Sequence, residues 1–249
     1  MALPVVWLLV VFLMLLWLRR WIEAHLQGLA FLIGGHPTVA VWLFFLIFLP
    51  GTLIHELSHW LAARLLLVRT GRIVIWPQVK AGRSLWLGTV QVGHTDPLRG
   101  SLIGLAPLLG GSLVVVLIGA QLQLDALGAL VVGGQWQLVG QALIHTSHLA
   151  DSWLWAYLLF AVANRMLPSP SDRQAWKPVL IFLAGVSAVM LISGWTPRLN
   201  SDAQHFVQQV IAFLLYAFSV SVLIDLLTTV LIAVLELIVS LVRRQRVSY

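Results

Sequence analysis

Apolar residues run almost unbroken over long stretches of this chain, and the polar interruptions are short and clustered. The first run, residues 2–18, ends at Arg19-Arg20 and has neither a basic leader nor a small-residue cleavage site, so it predicts a retained anchor helix rather than a signal peptide. Residues 21–35 mix in Glu23, His25 and Gln27 and are expected to lie along the membrane interface or to re-enter it. A second run, about 38–68, exceeds the roughly 20 residues that cross a hydrocarbon core. Pro50-Gly51 marks a kink point in its middle. Further spans are predicted at about 98–122, 149–167, 178–195 and 206–242, the last long enough for one tilted helix or two short ones. Gly104, Pro107, Gly110 and Gly111 on the third span predict close helix contact inside a bundle. Residues 123–146, apolar but rich in Gly and Gln, fit either a short re-entrant helix or a loop.

Between the second and third spans the pattern changes. Ile73-Val74-Ile75-Trp76 and the run 85–92 are rich in strand formers and flank a basic turn, Lys80-Ala81-Gly82-Arg83. That predicts a β-hairpin over 72–96 at the membrane surface. The expected fold is therefore an α-helical polytopic membrane protein with about six transmembrane helices and a small β-hairpin at the cytosolic face. Along the chain it divides into an N-terminal anchor and interfacial segment (1–37), a membrane core carrying the hairpin (38–175), and C-terminal helices (176–249).

Composition agrees with the pattern. The chain is 60% hydrophobic and 10% charged, whereas soluble domains carry roughly 25% charged residues. Cysteine is absent, which excludes disulfides and thiol chemistry. The net charge of +6 does not form a basic stripe, because most of the 15 basic residues lie near the ends of apolar runs. That distribution encodes membrane orientation rather than nucleic-acid binding. With six spans, twelve basic residues fall on one side and Arg19, Arg20 and Arg198 on the other; splitting the last run makes the count nine against six. The positive-inside rule then expects a multi-pass protein of the cell membrane with both termini and the hairpin in the cytosol.

Candidate chemistry concentrates in the second span. His55-Glu56-Leu57-Ser58-His59 is an H-E-x-x-H motif, and positions i and i+4 share a helix face, so both imidazoles can reach one zinc ion. Glu56, beside the first ligand, is placed to take a proton from the attacking water and hand it to the leaving amine. With 8 His and three Glu in 249 residues, roughly 0.003 such motifs are expected by chance. Ionisable groups inside a span mark function by default. A third ligand is still required. Asp172 is the best candidate by context, following a proline-rich turn after the fourth span, and on spacing alone a surface aspartate beside Arg173 fits equally well. His145 and His148 stand at i, i+3 without an acidic partner and suit an interfacial patch; His94 and Asp96 suit turn chemistry. Asp225 and Glu236, in the last run, carry no companion motif.

At these residues the chain resembles the site-2 proteases, polytopic zinc enzymes of regulated intramembrane proteolysis. His55 to His59 is similar to the family's zinc-helix motif, Gly104-Leu105-Ala106-Pro107 with Gly110 to its Gly/Pro-rich core helix, and Asn164 to Asp172 to its N-x-x-P-x-x-P-x-D-G pattern. The resemblance covers about residues 38–175. It implies that His55, His59 and Asp172 bind zinc, that Glu56 is the catalytic base, and that Asn164 orients substrate or polarises the site. The substrates implied are single-span membrane proteins in the lipid bilayer, cut by metal-activated water. Pro168 and Pro170 are closer together than in the family pattern, and Arg173 replaces its Gly. No PDZ-like or nucleotide-binding module can be accommodated, so a minimal form is expected. The alternative from the residues alone is a zinc-binding membrane scaffold or a metal-ion transporter, which needs no base at position 56.

Overall fold

The computed structural model describes residues 2–76, 78–80, 84–86, 88–124, 130, 134–174, 176–193 and 200–245. Seven helices and four short strands follow one another among them: α1 (Ala2–Gly34), α2 (Pro37–Leu65), β1 (Thr70–Val74), β2 (Gln78–Lys80), β3 (Ser84–Trp86), β4 (Thr89–Val92), α3 (Pro97–Gln121), α4 (Trp136–Ser147), α5 (Ser152–Arg165), α6 (Trp176–Ile192) and α7 (Ser201–Arg243). By length and composition four of them can cross a membrane, α1, α2, α3 and α7. The expectation of about six spans is therefore only partly met. The predicted fourth span is the 14-residue α5, which at 1.5 Å per residue reaches about 21 Å. The predicted fifth is the 17-residue α6.

The first correction concerns α1. It does not stop at Arg19-Arg20 but continues as helix to Gly34, because the mid-helix charge is neutralised inside the bundle. Arg19 Nε lies 3.0 Å from Glu23 Oε1 one turn on, and its guanidinium also donates to the Leu167 carbonyl. The last run is one helix, α7, of 43 residues. α1 and α7 pack side by side and parallel: Phe12 meets Phe218, His25 Nδ1 lies 2.7 Å from Glu236 Oε2, and Arg243 donates to the Ile33 carbonyl. The ends of the two helices thus lie together. Arg19 and Arg165, from distant parts of the chain, both bond Glu23.

Two larger apolar cores hold the bundle, beside a small one of Ala63, Val68 and Ile103. One draws Leu15, Val115, Ile118, Leu159, Val162 and Phe218 from α1, α3, α5 and α7. The other joins Ile22 and Leu26 to Phe44, Phe45, Phe48 and Phe160. Small residues set the closest approaches. A methyl group at Gly51 would lie 2.0 Å from the Ala161 carbonyl oxygen, and one at Gly111 2.3 Å from Met166 Cβ, so α5 lies directly on α2 and α3. Pro50 has no N–H for the Leu46 carbonyl one turn back. The Tyr157 hydroxyl of α5 donates to that oxygen instead, at 3.2 Å, and α2 remains helical through the proline.

The hairpin forms, with β1 antiparallel to β4 and β2 antiparallel to β3; the expected turn residues 81–83 lie outside the described residues. Trp76 meets Trp42 edge-on and Phe45 at a tilt, each at 6.2 Å, and Gly88 abuts Thr52 and Glu56. The hairpin therefore runs back along α2, far from the helix end at Leu65 from which it departs. Apolar residues Ile75 and Trp76 on its first arm, packing on the Phe44–Phe48 face, drive this return. Asp96 is not merely a hairpin-closing residue: its carboxylate accepts the Arg99 N–H at 3.0 Å and caps α3.

Candidate metal centre

Three elements build the site. α2 presents His55 and His59 one helical turn apart, and the turn after α5 returns Asp172 to them. That return follows from local chemistry. Pro168 and Pro170 cannot continue α5, and the Asp172 carboxylate closes the turn on itself by accepting the Ser169 N–H at 2.6 Å. Gly104 on α3 makes room, because a methyl group there would stand 2.3 Å from the Asp172 carbonyl oxygen.

His55 Nε2 and His59 Nε2 are 3.2 Å apart. Asp172 Oδ2 lies 3.4 Å from the first and Asp172 Oδ1 3.2 Å from the second. Tetrahedral zinc with bonds near 2.0–2.1 Å needs ligand atoms about 3.3–3.4 Å apart; these closest approaches use both Asp172 oxygens, and one ligand atom from each of the three residues lies within 4.8 Å of the other two, so the group can converge on one ion. The outer nitrogens are engaged elsewhere. His55 Nδ1 donates to the Arg165 carbonyl at 2.7 Å and His59 Nδ1 to the Ile103 carbonyl at 2.9 Å. With the proton held on Nδ1, each Nε2 keeps its lone pair for a metal. A carboxylate ligates in its ionised form, and the Ser169 N–H donated to Asp172 Oδ2 favours that form. Among the described residues this is the one convergent group of three His, Asp or Glu side chains, and His145 and His148 do not form another.

Glu56 is buried and lines a cavity of about 1000 Å³ together with His55, His59 and Asp172. Thr89 and Val90 of β4 form part of its wall. The hairpin presses on the glutamate here, since a methyl group at Gly88 would lie 2.8 Å from Glu56 Oε1. Asn164 is elsewhere. It is 1% exposed and does not line this cavity. Its amide donates to Asp225 Oδ1 at 2.6 Å and to the Phe160 carbonyl.

Sequence reasoning left out a cluster of charge beside the site. Arg165 follows Asn164, and its guanidinium bonds Glu23 at 3.3 Å while its carbonyl holds His55. Arg19 and Glu23 line the same cavity. The i, i+4 spacing of Arg19 and Glu23 was the available signal. Compared with known proteins, the chain matches no family model, no curated protein and no solved structure.

Proposed function

We propose that this protein is a zinc metalloendopeptidase that hydrolyses membrane-spanning protein substrates within the bilayer, as the resemblance to site-2 proteases implies. The observation that carries the proposal is the convergence of His55, His59 and Asp172, whose closest approaches are 3.2–3.4 Å, with a buried glutamate adjoining them in sequence and on the cavity wall. Those three residues would hold a zinc ion, which would supply Lewis acidity toward the scissile carbonyl. Glu56 acts as the base: its carboxylate takes the proton of the attacking water and returns it to the leaving amide nitrogen. The Arg165 and Ile103 carbonyls keep both imidazoles in the ligating tautomer.

A substrate helix has to unwind before its backbone can be cut. The hairpin suits a role in holding the unwound segment, because β4 lines the cavity and pairs with β1 alone among the described strands. A third strand added at that edge would run beside Glu56. Alanine or proline scanning of residues 84–92 that left cleavage rates untouched would remove the hairpin from the mechanism.

The test is metal content of detergent-purified protein beside cleavage of a single-span substrate. We expect about one zinc per chain, lost in His55→Ala and Asp172→Ala, and retained in Glu56→Gln, which should not cleave. Zinc kept by Asp172→Ala would move the third ligand elsewhere. Metal-free wild type after reconstitution at neutral pH would end the proposal, and zinc-loaded Glu56→Gln that still cleaves would remove the base assignment.

A further inference from the structure

The carbonyl that holds His59 comes from an unusual place. Ile103 lies in the interior of α3, where each carbonyl ordinarily accepts the N–H four residues on. Position 107 is proline, which has no N–H. The Ile103 oxygen is thereby left without its helical donor in a buried residue, and the imidazole of His59 takes the vacant position at 2.9 Å. The arrangement around His55 is related. The Arg165 carbonyl ends α5 with proline at 168, and the Ser169 N–H that would close the next helical bond is diverted to Asp172 at 2.6 Å. Its oxygen accepts from His55. Pro50 provides the internal comparison, because the Leu46 carbonyl it frees is taken by Tyr157 and not by a metal ligand.

We propose that Pro107 is a positioning residue of the metal centre: by withholding a backbone N–H it reserves the Ile103 carbonyl for His59 Nδ1 and so fixes the imidazole with Nε2 toward the metal. Pro107 is itself fully buried and does not line the cavity. Its effect passes through one backbone oxygen. The proposal rests on the metal-site assignment above but concerns the tautomer of an imidazole, which exists with or without the ion.

The experiment compares full-length wild type, Pro107→Ala, Pro50→Ala, and a chain carrying lactic acid at 107, whose ester, like proline, lacks the N–H. Zinc affinity is measured by competition with a chelator. Pro107→Ala restores the competing donor and should weaken zinc binding roughly 10–100-fold, the usual effect of losing an outer partner of a ligand. Pro50→Ala should not weaken it, and lactic acid at 107 should recover most of the loss. Undiminished affinity in Pro107→Ala, or equal losses in the alanine and lactic acid chains, would overturn the proposal, the latter because ring packing rather than the missing donor would then be responsible. A second readout uses metal-free wild type at alkaline pH with 15N-labelled histidine. The His59 signal, assigned from the His59→Gln variant, should report the proton on Nδ1. A proton on Nε2 would overturn the proposal even if Pro107→Ala fails to fold. Wild type that binds no zinc but shows the Nδ1 proton would sink the metalloprotease reading and, with it, Pro107's role at a metal, while the His59 tautomer assignment alone would stand.

Discussion

Glu23 serves two guanidiniums at once, Arg19 at 3.0 Å and Arg165 at 3.3 Å, with all three side chains less than a third exposed. Replacing it by leucine leaves both cations without their carboxylate beside an apolar wall that includes Phe48, over whose ring Arg165 lies. We expect Glu23→Leu to lower stability by about 2 kcal/mol, less than the 3–5 kcal/mol of a fully buried pair because solvent reaches the site in part. Thermal unfolding in detergent reads this directly, and an unchanged midpoint would show that the cavity water solvates Arg165 adequately. The same residues explain what could and could not be seen beforehand. His55, Glu56 and His59 were legible because an i, i+4 pair of imidazoles on an apolar helix has little other reason to exist. Glu23 was not, since its partner Arg165 is 142 residues away and a lone carboxylate near two arginines reads equally well as interface.

At the scale of elements, the short helix α5 and the glycines around it determine how closely the ligands approach. Gly104→Ala would place a methyl group 2.3 Å from the Asp172 carbonyl oxygen. Backbone rather than a flexible side chain is in the way, so the turn has to move. We expect this variant to lose most of its zinc while remaining folded, as judged by its circular dichroism, whereas Gly140→Ala, which meets nothing within 4 Å, keeps full metal content. Equal zinc in both would show that the Asp172 turn adjusts without consequence. Tyr157→Phe probes the α2–α5 contact. It leaves the Leu46 carbonyl without the hydroxyl that bonds it, and a loss of about 1 kcal/mol in unfolding free energy is expected. The glycine pattern on α3 was readable as close packing. The use of Pro107 was not, because its action appears one turn away, on an oxygen that every residue type carries. The hairpin was legible as an element from its strand-forming runs, but not its docking along α2, which depends on Trp76 finding Trp42 and Phe45.

At the scale of the whole molecule, the parallel packing of α1 and α7 makes a prediction about orientation. If α1 crosses the membrane, its start and the end of α7 emerge on opposite faces. The chain contains no cysteine, so single cysteines at Leu3 and Arg244 are clean probes for a membrane-impermeant thiol reagent. We expect each to be labelled from a different side in oriented vesicles; labelling of both from one side would mean that α1 or α7 does not traverse. Hydropathy identified long apolar helices but could not reveal this relation, because the two helices meet through pairs such as His25 and Glu236, 211 residues apart. That separation also has a consequence in time. At cellular synthesis rates of about 5–20 residues per second, roughly 10–40 s pass between the emergence of one partner and of the other. α1 is therefore made well before the helix that covers it. His55, His59 and Asp172 have all been synthesised before α7 begins at Ser201, so the three side chains can come together in the nascent chain while the bundle around them is still open on one flank, and α7 closes over them afterwards.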